Sequence, residues 1–408
     1  SLDFSAGQAT LRTRYVRSTK FVEEEAAGRP LCRTFGTAFE GDRLLRGIGL
    51  YSPVNVSAYP FAGTLLAFGE QGLPYELDPV TLETKGLWTA GGRLNEVTPF
   101  AAHAKVDHST NELFNFGVSF SAEHPMLNVF KFASDGQLVF RSRVPLPYPA
   151  SMHDFSISQS FLVFHVSPYL LDMGKLMKDQ ATLVDALTWE PSRGSHLFLI
   201  SRETGQLVAS MPSGNAYCLH LVNAFEDNGR LMVDVVEYER PLYPEYQVIP
   251  DLFSNAGPAL PVRIVVDLAT HTVVERRTLP YTSAPDFPAH DSNLTARPYN
   301  DFWMLGIKET GQPGRKWFRQ VVHLSWATAA ADVWTAPAGY YLGGEPLVIP
   351  GGIDGTRPMV LCMRFHGETG ESAFLAFDGL NTAAGPVAVM PLQGSIPASL
   401  HSTYHARA

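Results

Sequence analysis

The sequence predicts an all-β protein, and specifically a large β-propeller. Turn-forming residues are dense, strand–turn–strand units recur, and the chain lacks an internal linker. The 408 residues include 34 Gly and 30 Pro, spread evenly along the chain. Turn-forming residues at such regular intervals are typical of a chain with many short strands. No Pro/Gly/Ser-rich linker or run of like charges divides the sequence, so we expect a single domain over residues 1–408, although this length would suit two or three.

Strand–turn–strand units carry the fold prediction. In each unit a β-rich run ends at a polar turn with Thr, Gly or Asn, and a second β-rich run follows. Repeated antiparallel hairpins over this length favour a propeller with about four strands per blade. A large β-sandwich or a β-helix stays open at this point, because the units are too degenerate for their spacing to fix a blade count. The units are residues 77–88, 106–120, 132–140, 200–210, 225–238, 266–279 and 364–377.

One stretch, residues 167–189, departs from this pattern. Its apolar residues fall near helical spacing, which predicts a helix. Either the helix packs its apolar face on the body of the protein, or it forms an exposed patch that rests on a membrane and collects an apolar substrate. The residues concerned are Leu170, Leu171, Met173, Leu176, Met177, Leu183 and Leu187.

Composition narrows the class of protein. Lys and Arg number 31 against 40 Asp and Glu, a net charge of −9, which disfavours a nucleic-acid partner. No apolar run approaches the roughly 18–20 residues that span a bilayer, and the first ten residues do not resemble a secretory signal. Cys32, Cys218 and Cys362 form no CxxC motif and are expected to be reduced, buried thiols. We therefore expect a cytoplasmic protein, or one peripheral to a membrane through residues 167–189.

Four of the thirteen histidines lie in apolar stretches that resemble strands rather than turns. One such histidine is usually a core residue. In a propeller, however, the inner strands of all blades meet at one axis, so imidazoles from separate segments can converge there. Four imidazoles suit a divalent Fe, Zn, Cu or Ni ion. The four candidate ligands are His103, His153, His220 and His401.

Three acidic residues are candidates for the outer partners of these histidines. A metal-bound histidine usually donates its second ring N–H to a carboxylate or another acceptor. Glu70, Asp286 and Glu345 each stand alone in an apolar run. The alternative for each is an ordinary acid at a turn or a strand end.

Taken together, these segments resemble the carotenoid cleavage oxygenases, the family that includes apocarotenoid and stilbene oxygenases and the retinoid isomerase of the eye. The resemblance runs nearly end to end. It implies a seven-bladed propeller with a helical or loop cap over a non-haem Fe(II) on the axis. The segments that carry it are LLAFGEQGLPYELDPVTLET, AHAKVDHSTNELFNFG, MHDFSIS, HLVNAFED, GGEPLVIP and LHSTYH.

The resemblance also assigns roles to individual residues. Val56 matches the apolar side chain that shields the sixth position on the metal. Asp286 departs from the family, which usually has Glu there, and His405 is a rival to His401 as the fourth ligand. The family's four ligands map onto His103, His153, His220 and His401, and its three outer carboxylates map onto Glu70, Asp286 and Glu345.

The activity that the resemblance implies is scission of a conjugated C=C bond by O2, giving two carbonyl products. The cofactor carries this chemistry, so no catalytic acid, base or nucleophile is expected from the protein. A polyene substrate requires a long apolar tunnel. Stilbene-cleaving relatives bind the substrate phenol with a Lys directly before the first outer Glu, where this chain has Gly69. A carotenoid or apocarotenoid is therefore expected; the alternatives are a stilbene, an isomerisation without O2 incorporation, and a non-catalytic propeller that binds a partner.

Overall fold

Short antiparallel strands make up most of the molecule. The computed structural model describes residues 1–5, 8–47, 49–120, 123–178, 180–246, 253–312 and 314–405. In these residues, 28 strands form six four-stranded sheets and two two-stranded sheets. The predicted all-β propeller is confirmed.

The first half of the chain contains a hairpin and three of the four-stranded sheets, which we number as blades. The hairpin pairs β1 (Leu2–Ser5) with β2 (Gln8–Leu11). Blade 1 contains β3 (Ser57–Phe61), β4 (Thr64–Phe68), β5 (Tyr75–Leu77) and β6 (Thr84–Leu87). Blade 2 contains β7 (Lys105–Asp107), β8 (Glu112–Ser119), β9 (Met126–Phe132) and β10 (Leu138–Pro145). Blade 3 contains β11 (Ser156–Ile157), β12 (Phe161–Val166), β15 (His196–Ser201) and β16 (Leu207–Pro212), and between β12 and β15 the chain forms the small sheet of β13 (Tyr169–Leu171) and β14 (Leu187–Trp189).

The second half contains the other three blades. Blade 4 contains β17 (Tyr217–Asp227), β18 (Arg230–Tyr238), β19 (Ala259–Asp267) and β20 (Thr272–Thr278). Blade 5 contains β21 (Pro285–Ala289), β22 (Asp301–Glu309), β23 (Lys316–Ser325) and β24 (Ala330–Thr335). Blade 6 contains β25 (Tyr340–Ile353), β26 (Arg357–His366), β27 (Ser372–Asp378) and β28 (Pro386–Pro391).

Helices are few and short in the described residues. Helix α1 (Thr19–Ala27) begins after Ser18, whose hydroxyl accepts from the Phe21 N–H, and ends at Gly28 in the left-handed conformation. Helix α2 (Met173–Leu176) is a single turn. The 3₁₀ turns are Val184–Ala186, Pro191–Arg193, Tyr243–Tyr246, Ser292–Leu294 and Gly379–Ala384.

The blade count implied by the resemblance is wrong for the described residues, which form six four-stranded sheets instead of seven. Counting hairpins would not have given the number either. Units 106–120 and 132–140 both belong to blade 2, and units 225–238 and 266–279 both belong to blade 4. A four-stranded antiparallel sheet contains three hairpins, so one blade can supply more than one unit.

The helix predicted over residues 167–189 is also wrong, and the described residues do not show a helical cap. The two ends of the stretch pair as β13 and β14, while Asp172 caps α2 and so fixes where it begins. Gln180 then has a φ of 61°, which a continuing helix cannot accommodate. The apolar spacing was real, but it reflects a hairpin whose side chains share one small core.

That small core also removes the basis for a membrane patch. Leu171, Leu176 and Leu183 are buried together with Leu50. Among the large apolar residues described in 167–189, Met177 alone is exposed. No helix in the described part of the chain has the length and apolarity to span a membrane.

Burial separates the first strand from the last in blades 4 and 5. The first strand of blade 4, β17, is buried over nine successive residues, whereas the last strand, β20, is mostly exposed. Blade 5 repeats this contrast between β21, which is wholly buried, and β24. The first strands of blades 3 to 6 also contact one another in turn, β11 with β17, β17 with β21 and β21 with β25, so they line the axis and their residues can meet there.

A buried ion pair within blade 4 contacts blade 5 away from the axis. Arg263 donates to both oxygens of Asp234 at 2.8 and 2.7 Å, and the Tyr299 hydroxyl donates to the same carboxylate at 2.5 Å. The guanidinium also lies over the Trp326 ring, 4.5 Å from its centroid. Tyr299 and Trp326 belong to blade 5, so the cluster packs across the seam between the two blades.

Candidate metal centre

Four histidines meet on the propeller axis. One ring nitrogen of each lies within 4.8 Å of those of the others, and Nε2 of His103 lies 3.0 Å from Nε2 of His153. His103 and His153 precede the first strands of blades 2 and 3, and His220 lies in β17. Because first strands are innermost, these three segments deliver their imidazoles to one point.

The fourth histidine reaches the axis on the C-terminal segment, residues 396–405. The Glu345 N–H donates to the Leu400 carbonyl at 2.7 Å, which ties this segment to blade 6. The His401 N–H donates to the Val56 carbonyl at 3.2 Å, and the Thr403 hydroxyl donates to the Ala58 carbonyl at 2.6 Å, which ties it to blade 1. The segment therefore joins the last blade to the first and places His401 in the cluster. The rival His405 is exposed and lies outside it.

Two glycines in β25 let the C-terminal segment lie against blade 6. A Cβ on Gly343 would lie 2.9 Å from the Ala398 Cβ. A Cβ on Gly344, whose φ is +82°, would lie 2.1 Å from the Ser399 hydroxyl oxygen. The pair thus makes room for the chain immediately before His401.

Each of the three acids singled out from the sequence touches one of the histidines. Asp286 makes the shortest contact, although its side chain is shorter than the usual Glu, so no water bridge is needed. The distances from Nδ1 to the carboxylate oxygen are 2.9 Å for His153–Glu70, 2.6 Å for His220–Asp286 and 3.3 Å for His401–Glu345.

A bulge in β21 explains how Asp286 reaches its histidine. The register of β21 with β22 shifts between Asp286 and Ala289, and Phe287 has a φ of 55°. Its N–H donates to the Asp286 carboxylate at 2.9 Å. The Phe287 ring packs 5.7 Å from the ring of His220 and 5.2 Å from that of His401. Non-glycine residues in this backbone region are strained and cluster at functional sites.

The histidines differ in proton affinity. Burial and the neighbouring imidazoles lower the pKa of His103, and burial lowers that of His401 despite the adjacent Glu345. Burial also acts to lower the pKa of His220, but the Asp286 carboxylate outweighs it and raises that pKa. His103 and His401 are therefore neutral and have a ring-nitrogen lone pair free for a cation.

The donor set fits a divalent metal ion. Two nitrogens about 2.1 Å from one ion and at right angles to each other are about 3.0 Å apart, as Nε2 of His103 and His153 are. Nε2 of His220 is buried and has no hydrogen-bond partner within the described ranges, a costly state for a polar atom that a ligand would relieve. Three carboxylates beside four imidazoles supply negative charge to balance a cation.

Val56 and Gly69 lie beside the cluster. Val56 is half-buried, packs on the core of blades 1 and 2, and accepts from His401 through its carbonyl. A Cβ on Gly69 would lie 1.8 Å from the Ser52 hydroxyl oxygen and 3.1 Å from the Val54 nitrogen. Position 69 therefore has no room for a long side chain unless Ser52 moves.

Sequence reasoning missed other residues around the cluster. Tyr243 packs edge-on to His153, with ring centroids 6.0 Å apart, and Phe35 packs on Tyr243 at 5.2 Å. No local sequence pattern marks Tyr243 or Phe35. Phe287 and Asp154 could have been predicted, because Phe287 directly follows Asp286 and Asp154 directly follows His153 in an apolar run.

The fold and the site define a class: an all-β propeller with a four-histidine candidate metal centre on its axis. Residues 1–406 match the model of the RPE65 family, described as retinal pigment epithelial membrane protein. The chain belongs to this family, the carotenoid cleavage oxygenases, as the sequence predicted.

Curated relatives span nearly the whole chain. It is 27% identical over 419 residues to the isoeugenol monooxygenase of Pseudomonas putida, covering 99% of this chain and 85% of the relative. It is 25% identical over 415 residues to the apocarotenoid-15,15'-oxygenase of Synechocystis, covering 98% and 82% respectively. Both relatives are named as oxygenases, which supports an oxidoreductase.

Solved structures of the Synechocystis apocarotenoid oxygenase share the fold. A single-residue mutant of that enzyme superposes with a TM-score of 0.86 at 22% identity, over 100% of this chain and 86% of the other. A cobalt-substituted form of it superposes with a TM-score of 0.83 at 23% identity, over 97% and 84%.

Replacing Gly344 with Ala should weaken metal binding. The new Cβ would displace Ser399, and with it the chain that carries His401. We expect Co(II) affinity, measured by titration, to fall at least tenfold, and unfolding in urea to show a loss of about 1–3 kcal/mol from the positive φ. Gly355 is the matched control, since its φ is +79° and its Cβ would meet open space. Gly355→Ala should lose stability and keep its affinity; equal losses of affinity in both variants would contradict the packing argument.

Proposed function

We propose that the chain is a non-haem Fe(II) dioxygenase that cleaves a conjugated C=C bond of a carotenoid or apocarotenoid and gives two carbonyl products. The observation that carries the proposal is the convergence of four imidazoles on the axis, three of them against a carboxylate. Membership of an oxygenase family supports the same reaction class.

In this proposal His103, His153, His220 and His401 hold the iron through the nitrogens that face one another. Bound Fe(II) would supply the electron density that activates O2. The carboxylates accept the Nδ1–H of their histidines, which fixes the tautomer whose Nε2 lone pair points to the centre. The reaction balances without a protein acid or base, because one C=C bond and one O2 become two C=O groups.

The remaining side chains exclude water and orient the substrate. Tyr243 and Phe287 place aromatic surface against the histidine cluster, and Phe35 extends it away from His153. Such surface suits a conjugated hydrocarbon and keeps the site dry. Val56 is assigned to the sixth position, where an apolar group would leave room for O2 and exclude further ligands.

Gly69 supports a polyene over a phenolic substrate. The space that a side chain at this position would occupy is filled by the Ser52 hydroxyl. A cation that pairs with a phenolate is therefore absent from the position where stilbene-cleaving relatives have one.

A hydroxystilbene or a related phenylpropene is the second candidate. The isoeugenol monooxygenase match supports it, and so does a 31% identity over 254 residues to resveratrol cleavage oxygenase 1 of Aspergillus fumigatus, which covers 61% of this chain and 49% of that enzyme. Turnover of polyenes compared with turnover of phenolic substrates separates the two candidates.

Replacing His220 with Ala should abolish both iron retention and turnover, because it removes the one buried ligand nitrogen that has no other partner among the described residues. Iron content after anaerobic gel filtration and product formation are the measurements. His405→Ala is the control and should match the wild type, since His405 is exposed. Normal turnover in His220→Ala would refute the four-histidine centre.

Replacing Asp286 with Ala should weaken iron binding by about 10–100-fold, less than the loss of a ligand, because His220 keeps its Nε2 but loses its acceptor. Anaerobic titration of Fe(II) into the apoprotein measures the change. An unchanged affinity would leave Asp286 with a packing role only.

The substrate assay uses Fe(II)-loaded protein with apocarotenals, full-length carotenoids, hydroxystilbenes and isoeugenol, with products read by mass under 18O2. We expect paired carbonyl fragments from a polyene, each with one labelled oxygen at early times. Cleavage of the phenolic substrates alone would contradict the carotenoid assignment. Isomerisation without label would indicate the retinoid-isomerase type of reaction, and the absence of any product would favour a non-catalytic propeller.

A further inference from the structure

Glu70, Asp286 and Glu345 each contact one histidine of the cluster. His103 is the fourth histidine, and none of these three acids is its partner. Its Nδ1 lies 3.7 Å from Oδ1 of Asp154, a distance within the range of an ion pair but too long for a direct hydrogen bond. Both side chains are almost wholly buried, with 5% and 2% of their surfaces exposed. At this separation in a buried setting, a carboxylate still stabilises an N–H that points towards it.

Asp154 is held in place by two other blades. Its Oδ2 accepts from the Leu221 N–H at 2.9 Å, directly after His220 in blade 4. Its Oδ1 forms an ion pair with Nζ of Lys105 in blade 2 at 2.8 Å. Oδ1 of Asp154 therefore faces both the Lys105 ammonium and the His103 ring, and the two share its negative charge.

We propose that Asp154 is the positioning residue for His103, and that Lys105 limits the negative charge that this histidine receives. The inference rests on the proposed metal site and extends it to a fourth carboxylate. Asp154 would fix the His103 tautomer with Nδ1 protonated and Nε2 towards the centre, as Glu70, Asp286 and Glu345 would do for the other three. Because Lys105 draws on the same oxygen, His103 would be the least strongly supported of the four ligands.

Two substitutions separate this role from a purely structural one. In Asp154→Asn, the single amide oxygen is needed by the Leu221 N–H, so the NH2 group faces Lys105 and His103 and the negative charge is gone. In Lys105→Gln, an amide N–H still donates to Asp154, but the competing positive charge is removed. Support of His103 by charge predicts weaker metal binding in Asp154→Asn and unchanged or tighter binding in Lys105→Gln, whereas a structural brace predicts weaker binding in both.

The experiment titrates cobalt(II) chloride into each folded apoprotein and follows the visible absorption of the bound ion, with urea unfolding of the apoprotein as a separate measurement. Asp154→Asn should bind Co(II) about 10–100-fold more weakly, with a shifted absorption band. Lys105→Gln should bind it as tightly as the wild type or more tightly. Asp234→Asn is the matched control: it also neutralises a buried, ion-paired aspartate, and it should lose stability without losing affinity.

The proposal is overturned if Asp154→Asn binds Co(II) within twofold of the wild type, or if its loss does not exceed that of Asp234→Asn. Equal losses in Asp154→Asn and Lys105→Gln would make the pair a structural brace and would also overturn it. If Asp154→Asn does not fold, Lys105→Gln decides: tighter or unchanged binding supports the proposal, and weaker binding refutes it. A wild-type protein that binds no Co(II) overturns the metal site itself, and this inference with it.

Discussion

The structure depends on keeping four imidazoles together at the point where the blades meet. Two of these histidines, His103 and His401, are neutral because burial lowers their pKa, and Nε2 of His220 is buried without a partner in the described chain. Buried polar groups in this state are costly, so other interactions must hold the rings. Glu70, Asp286 and Glu345 do so from outside, each against an Nδ1. This arrangement requires a strained backbone at Phe287 and a residue without a side chain at Gly344.

In blades 4 and 5 the first strand, which lies nearest the cluster, is much more buried than the last strand. The same burial that stabilises β17 therefore lowers the dielectric around His220, which strengthens its contact with Asp286. Stability and the electrostatics of the site come from one feature of the fold.

Much of the site was predictable because its residues are chemically unusual where they occur. A histidine or lone acid in an apolar run costs free energy unless it is paired, so His103, His153, His220 and Glu70 stood out in the sequence. Asp154 met the same criterion but was overlooked beside His153. The aromatic residues could not be found in this way, since Tyr243 differs in no local respect from a core tyrosine. The helix over 167–189 failed because period alone does not separate a helix from a hairpin whose two arms share a core. The wrong blade number came from the family resemblance, and the hairpins could not correct it because they do not mark where one sheet ends and the next begins.

The route of the C-terminal segment has a consequence for when the site comes into being. Three of the four histidines lie in blades 2, 3 and 4, but His401 follows blade 6 and is held between blades 6 and 1. During synthesis His103, His153 and His220 are made well before His401. A nascent chain therefore has three of the four histidines, a set that would bind a cation more weakly. The complete set forms only when the ring of blades has closed. A cation bound there would then hold blades 6 and 1 together, and its release would weaken the contact between them. A nascent chain that has not yet reached His401 therefore cannot form the complete set, whichever blades have already folded.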